Sequence, residues 1–239
     1  GSTTMSRLTY NYNNLKTLYG INFVQGRVDS IVPPVGSGNG SVRLADGRVL
    51  TCNKIILAPG IEFDAVPGLT PALQDNYVTH AWKAGAQTTK LASQIRNMPV
   101  GGTFVMTIPA APYRCPPGPY ERACVVADYL KKNKPGSKVI VLDANPFIQA
   151  ERVGFERAFN VTHAGVIDYR PSQTVAGVTV NTTGGKHAVT TNSTMLYADV
   201  LNVIPSHKAG KIITDNPALA NAGSGRWAGV DVRSYESTG

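Results

Sequence analysis

Cys115 stands in a stretch whose residue types suit thiol chemistry, Arg-Cys-Pro-Pro-Gly-Pro-Tyr-Glu-Arg-Ala over 114–123. A thiolate is the reactive form of cysteine, and two neighbours here favour it: the guanidinium of Arg114 and the positive end of a following helix. The prolines restrict the loop's freedom, which holds a side chain in one place. Glu121, six residues on, falls in the first turn of that helix, where a partly buried carboxylate is suited to proton transfer. Each residue also has a plainer reading. Cys115 can be an inert loop residue, and Glu121 can simply complement the helix N-terminus.

The elements that must position these residues are legible on either side. Thr103–Ile108 is a continuous apolar run and reads as a buried strand; Pro119 to Lys132 reads as a helix, with proline well placed at its first position. A second apolar run, Lys138 to Asp143, completes a βαβ unit with a parallel sheet covered on both faces. A dinucleotide site in such a unit needs Gly-x-Gly-x-x-Gly between strand and helix. Residues 109–115 are Pro-Ala-Ala-Pro-Tyr-Arg-Cys instead, so a conventional nicotinamide site is disfavoured, and Asp143 is read as a strand-end residue.

Around this unit the chain alternates between turn-rich and apolar stretches. A short helix is expected over Tyr10–Tyr19 and strand-like runs over Ile21–Ile31, Ser41–Leu44 and Val49–Cys52. The last two flank the hairpin signal Asp46-Gly47. Lys54 to Gly60 reads as a buried parallel strand entering a tight turn. A helix is expected over Ala84–Met98 and another over Glu151–Phe159. Val178–Asn181 and Ala188–Thr191 flank Gly184-Gly185, and Ala198 to Pro205 reads as a further buried strand. His80 suits packing at a helix start or carriage of a proton.

Composition narrows the class. The chain has 239 residues, 42% hydrophobic and 16% charged, which is the balance of a folded globular protein. No apolar run approaches the roughly 18 residues of a membrane span. The net charge of +8 is spread along the chain, which implies a solvated surface and argues against a nucleic-acid partner. Cysteines 52, 115 and 124 have neither a disulfide framework nor metal-site spacing. Gly1-Ser2 reads as a cloning remnant, with no signal segment after it.

The 115–123 segment closely resembles the redox-cysteine segment of the flavoprotein subunit of flavocytochrome c sulfide dehydrogenase, a relative of sulfide:quinone oxidoreductases and pyridine-nucleotide disulfide reductases. Residues 79–85 (Thr-His-Ala-Trp-Lys-Ala-Gly), Ala58-Pro59-Gly60, 204–212 and the tail from Trp227 to Ser237 are similar to the same family. The resemblance implies an α/β fold, with a Rossmann-like nicotinamide-type domain (69–205), a partial FAD-binding domain carrying an antiparallel meander (1–68) and a return segment (206–239). It implies FAD as cofactor, with Val28, Ala58, Pro59, Gly60 and Arg114 near it, and no metal. Cys115 and Glu121 become the catalytic candidates, sulfide the substrate, a c-type cytochrome subunit the electron acceptor and the periplasm the location.

This sequence also departs from the family. No Gly-x-Gly-x-x-Gly occurs anywhere, and the family's second flavin motif does not appear before Gly239, so the chain is expected to be an internal piece without turnover or FAD of its own. The second redox cysteine of the family follows the tail tryptophan, where this sequence has Ala228. Two alternatives remain open: an NAD(P)H-dependent flavoprotein disulfide reductase, which the missing glycines disfavour, and a non-catalytic domain that docks a cytochrome.

Overall fold

The computed structural model describes residues 4–238, so residues 1–3, with the Gly1-Ser2 remnant, and Gly239 lie outside the described residues. The chain divides into two compact units, Gly1–Gly60 with Ala209–Gly239, and Ile61–Lys208.

The first unit opens with a 3-10 turn (Ser6–Leu8) and α1 (Asn13–Tyr19), which ends at Gly20 in the left-handed conformation. Helix α1 is three residues shorter at its start than the Tyr10–Tyr19 expectation, and it buries nothing. β1 (Val28–Val32), β2 (Gly40–Leu44) and β3 (Val49–Cys52) form an antiparallel meander in that order. The expected long strand over 21–31 is thus confined to its C-terminal half. Residues 54–60, expected as a buried strand, are not a strand: among the described residues their one backbone partner is Gly210, whose N donates to Gly60 O at 3.1 Å, and Ile56 is 94% exposed. A run of Ile and Leu satisfies the strand pattern, but a strand also needs a partner ladder, and none forms along this run.

The second unit begins with β4 (Ile61–Phe63), α2 (Pro71–Asn76) and α3 (Ala86–Asn97). Thr70 caps α2, its Oγ accepting from Leu73 N at 3.2 Å, with Pro71 at the tolerated first position. The βαβ unit follows as β5 (Thr103–Ile108), α4 (Gly118–Asn133) and β6 (Lys138–Asp143), at the positions the apolar runs predict. α5 (Arg152–Arg157) gives way to a π-turn (Ala158–Thr162), so the helix expected over 151–159 is split between two geometries. Then come β7 (Ile167–Arg170), β8 (Val175–Thr179), β9 (His187–Thr191), β10 (Met195–Ala198), β11 (Val200–Val203) and β12 (His207–Ala209). The chain re-enters the first unit there and forms α6 (Lys211–Thr214).

A four-stranded parallel sheet, β11-β5-β6-β7, is the frame of the second unit. Its apolar runs are buried on both faces. Val105, Leu142, Leu201 and Val203 pack with Val178, Val189 and Ala198 from the antiparallel sheet β10-β9-β8. α4 packs against β6 and β7, burying Tyr120, Ala123, Val126, Ala127 and Leu130. Each large side chain buried in this way contributes about 1.5–3 kcal/mol. In the first unit, a small core joins Ile213 and Leu219 to Ile31 and Trp227. No described helix is long and apolar enough to cross a membrane.

Candidate functional site

The loop from β5 to α4 carries Cys115, and buried polar groups hold it along its length. At its start, Asn145 brackets the backbone: Ala111 N donates to Asn145 Oδ1 at 2.9 Å, and Asn145 Nδ2 donates to Pro109 O at 3.0 Å. Asn145 is itself fixed by Asp143 at the end of β6, whose Oδ1 accepts from Asn145 N (2.9 Å) and Nδ2 (2.7 Å). Asp143 Oδ2 accepts from the hydroxyls of Tyr120 (2.7 Å) and Tyr169 (2.9 Å). Burial pushes both tyrosines well above their usual range, reinforced by the Tyr113 hydrogen bond at Tyr120 and by the charge of Asp143 at Tyr169. They therefore stay protonated and keep donating. Both carboxyl oxygens are committed to the fold, so Asp143 has no oxygen to offer a ribose.

The middle of the loop is held by aromatic groups. Tyr113 is buried edge-on to His207, its ring 6.1 Å away, and its hydroxyl is pushed up to about 12 chiefly by burial. Arg114 N donates to His207 Nδ1 at 2.8 Å, and Trp82 Nε1 donates to Arg114 O at 3.2 Å. The Arg114 guanidinium returns the contact by donating to Trp82 O. His207 and His80 both pack against Phe63, at 5.2 and 4.5 Å between rings. Burial, followed by the charges of Arg114 at His207 and Lys83 at His80, lowers each imidazole to about 4. Both are neutral at physiological pH, and each Nδ1 accepts a backbone N–H, since Trp82 N donates to His80 at 3.0 Å. His80 is thus a packed residue outside the α3 cap, which is Gly85.

Cys115 follows as an exposed residue with φ of 61°, a left-handed conformation that L side chains rarely adopt. Its carbonyl accepts from Gly118 N at 2.9 Å, closing a turn onto the start of α4. A Cβ at Gly118 would lie 2.9 Å from Trp82 Cη2 and 3.1 Å from Cys115 Sγ. The absent side chain of Gly118 is therefore what lets indole and thiol share the helix start.

The other expected site residues divide between the two units. Glu121 is in the first turn of α4, but it is exposed rather than partly buried. The burial on which proton transfer would draw is missing. Cys124 lies further along α4, half-buried, its thiol raised by burial and then by the charge of Glu121. Both effects oppose thiolate formation there. Arg114 and Cys115 are adjacent in the second unit. In the first unit, Val28 opens β1 opposite Leu44. Pro59 and Gly60 line a groove of about 660 Å³ together with Ile55, Leu57, Trp227 and Tyr235, while Ala58 is exposed beside it. Among the described residues, no cluster of His, Cys, Asp or Glu could hold a metal ion.

Residues 88–205 match the family model described as "Sulfide dehydrogenase [flavocytochrome c] flavoprotein chain, central". Loop, cysteine and βαβ unit all fall within that match. Over that region the chain resembles the central part of flavocytochrome c sulfide dehydrogenase flavoprotein chains. That family is one of flavin-dependent oxidoreductases. Among solved structures, it is similar in fold to the HOCl-induced flavoprotein disulfide reductase RclA from Escherichia coli. The TM-score is 0.52 at 15% identity, over 92% of this chain and 43% of that one. It is also similar to the bacillithiol disulfide reductase Bdr (YpdA) from Bacillus cereus, with a TM-score of 0.50 at 14% identity, over 95% and 61%. The chain thus spans less than two thirds of the length of either.

Sequence reasoning missed the groups that hold the loop. Trp82, Tyr113, Arg122 and His207 were not singled out as site residues. Trp82 and His207 stood in segments with a family resemblance, but nothing in their spacing announced that both reach the backbone of Arg114.

Proposed function

We propose that the complete protein is an FAD-dependent sulfide dehydrogenase in which Cys115 captures sulfide and electrons pass through the flavin to a c-type cytochrome. One observation carries the reading: within the family-matched region, Cys115 is exposed in a left-handed conformation on a loop fixed by buried groups on both sides. Strained backbone at a reactive side chain is the expected mark of a site over-determined by its surroundings.

The residues of the first unit fit the ring end of a flavin. The groove lined by Trp227, Tyr235, Ile55 and Leu57 has the volume and apolar character of a cofactor pocket. Gly60, with φ of 73° and nothing within 4 Å of its missing Cβ, leaves room for close approach. When bound, the flavin supplies a two-electron acceptor that releases electrons singly. The pyrophosphate end has no cradle in these 239 residues, because no glycine-rich phosphate loop is present.

The chemistry asked of this chain's residues is simple. The Cys115 thiolate meets hydrosulfide; a sulfur–sulfur bond forms and an S–H bond breaks. The proton goes to solvent or to Glu121, which the open surface of the loop permits, and a bound flavin would take up the two electrons released. Three features speak against the nicotinamide alternative. The loop lacks glycines, Asp143 is fully engaged, and the cavity at the C-terminal ends of β5 and β11 holds only about 140 Å³, far below a dinucleotide pocket. The family's address implies a periplasmic protein.

The test is turnover of the full-length protein. Cys115→Ser is expected to lower sulfide-dependent cytochrome c reduction by about a hundredfold or more, as loss of a covalent nucleophile does. Turnover retained in Cys115→Ser would remove the proposal.

A further inference from the structure

Two residues without glycine's freedom take left-handed backbone at this site, Cys115 (φ 61°) and Ala81 (φ 47°). Ala81 is pinned on both sides. Its N–H donates to Gln87 Oε1 at 3.1 Å, and its carbonyl accepts from Arg122 Nη2 at 2.6 Å. The same guanidinium donates through Nη1 to His80 O at 2.9 Å and to Asn202 Oδ1 at 2.8 Å. Asn202, on β11, donates in turn to the carbonyls of Thr79 and His80. Arg122 also lies over the Trp82 ring, 4.7 Å from its centroid. One half-buried cation on α4 therefore holds three consecutive residues, 80–82, through two carbonyls and one ring face.

Trp82 passes that order to the cysteine loop by the contacts already described: its Nε1 on Arg114 O, its carbonyl under the Arg114 guanidinium, and its ring edge against Gly118 beside Cys115 Sγ. We propose that Arg122 and Trp82 act together as positioning residues for Cys115, the planar guanidinium fixing the indole and the indole fixing the loop that presents the thiol. This rests on the reading of Cys115 as the reacting thiol. A fork of fixed donors is what the role needs, and a lysine ammonium supplies only a point charge.

The measurement is the rate of Cys115 alkylation by iodoacetamide, resolved from Cys52 and Cys124 by peptide mass spectrometry. It is made on the folded chain, on Arg122→Lys and Trp82→Phe, and on a synthetic peptide of residues 112–121. Phenylalanine keeps a ring at 82 and removes the Nε1 donor, so it tests one bond with little disturbance and stands alone if Arg122→Lys does not fold. The wild-type rate is expected to differ from the peptide's. Each variant is expected to move Cys115 toward the peptide by about fivefold, the factor carried by one hydrogen bond's net contribution. The rates at Cys52 and Cys124 are expected to stay unchanged. An unchanged Cys115 rate in folded variants would overturn the proposal, as would a wild-type rate equal to the peptide's. Equal changes at all three thiols would overturn it too, since they would report loosening of the whole chain. Turnover of Cys115→Ser in the full-length protein separates the two ideas: if turnover is lost while alkylation in the variants is unchanged, only the positioning role fails.

Discussion

At the scale of single residues, the second unit uses buried polar groups as fixed struts, and their protonation states are part of its stability. His80 and His207 are 9% and 2% exposed and are each lowered to about 4. The unfolded chain takes up their protons near pH 6.5, while the folded chain resists until about pH 4. Their contribution to stability is therefore fully present above pH 6.5 and is lost as pH falls toward 4. Urea unfolding is expected to show a loss on the order of 2–4 kcal/mol between pH 7.5 and pH 5. The double variant His80→Gln/His207→Gln is expected to flatten that slope, and a wild-type curve already flat over this range would refute the assignment. Asp143 shows how far residue identity alone misleads. An acid at the end of the second strand has the place of a ribose ligand, yet four donors saturate it. The sequence contained Tyr120, Asn145 and Tyr169, but not the statement that they converge.

At the scale of elements, the strands and helices whose signal is local followed the sequence closely. β5, β6 and β3 have the bounds their apolar runs predict, and α4 differs from its expectation by one residue at each end. Elements that depend on a distant partner did not. The run at 54–60 has strand chemistry but no ladder, and the strand expected over 21–31 forms only where β2 pairs with it. Docking between elements is equally non-local. The Pro67-Gly68 turn ahead of α2 approaches β8 so closely that a Cβ on Gly68 would lie 1.9 Å from Val178 O. Its φ is 85°, and Val178 N donates to Pro67 O at 2.9 Å. Gly68→Ala must both strain the turn and push it from the strand, so a loss of about 3 kcal/mol or more is expected in urea unfolding. A change below about 0.5 kcal/mol would show that the contact is not made.

At the scale of the whole molecule, cofactor retention is the property that follows from what the chain contains. A groove that suits a flavin ring, with no phosphate cradle in the 239 residues, predicts weak or absent flavin retention. An absorbance scan of the purified chain with added FAD is expected to show no retained flavin after desalting, and sulfide is expected to produce no cytochrome c reduction. A bound flavin that sulfide bleaches would contradict this. The sequence by itself determined the α/β class, the parallel βαβ frame and the cysteine loop between strand and helix, because period, apolar run length and proline placement act within a few residues. Only the tertiary structure decided what fixes that loop. Arg114 meets His207 across 93 positions and Trp82 across 32, and Arg122 meets Asn202 across 80. Such partners are chosen by sheet order and by the need to satisfy every buried polar group, and neither constraint is written in any short stretch of the chain.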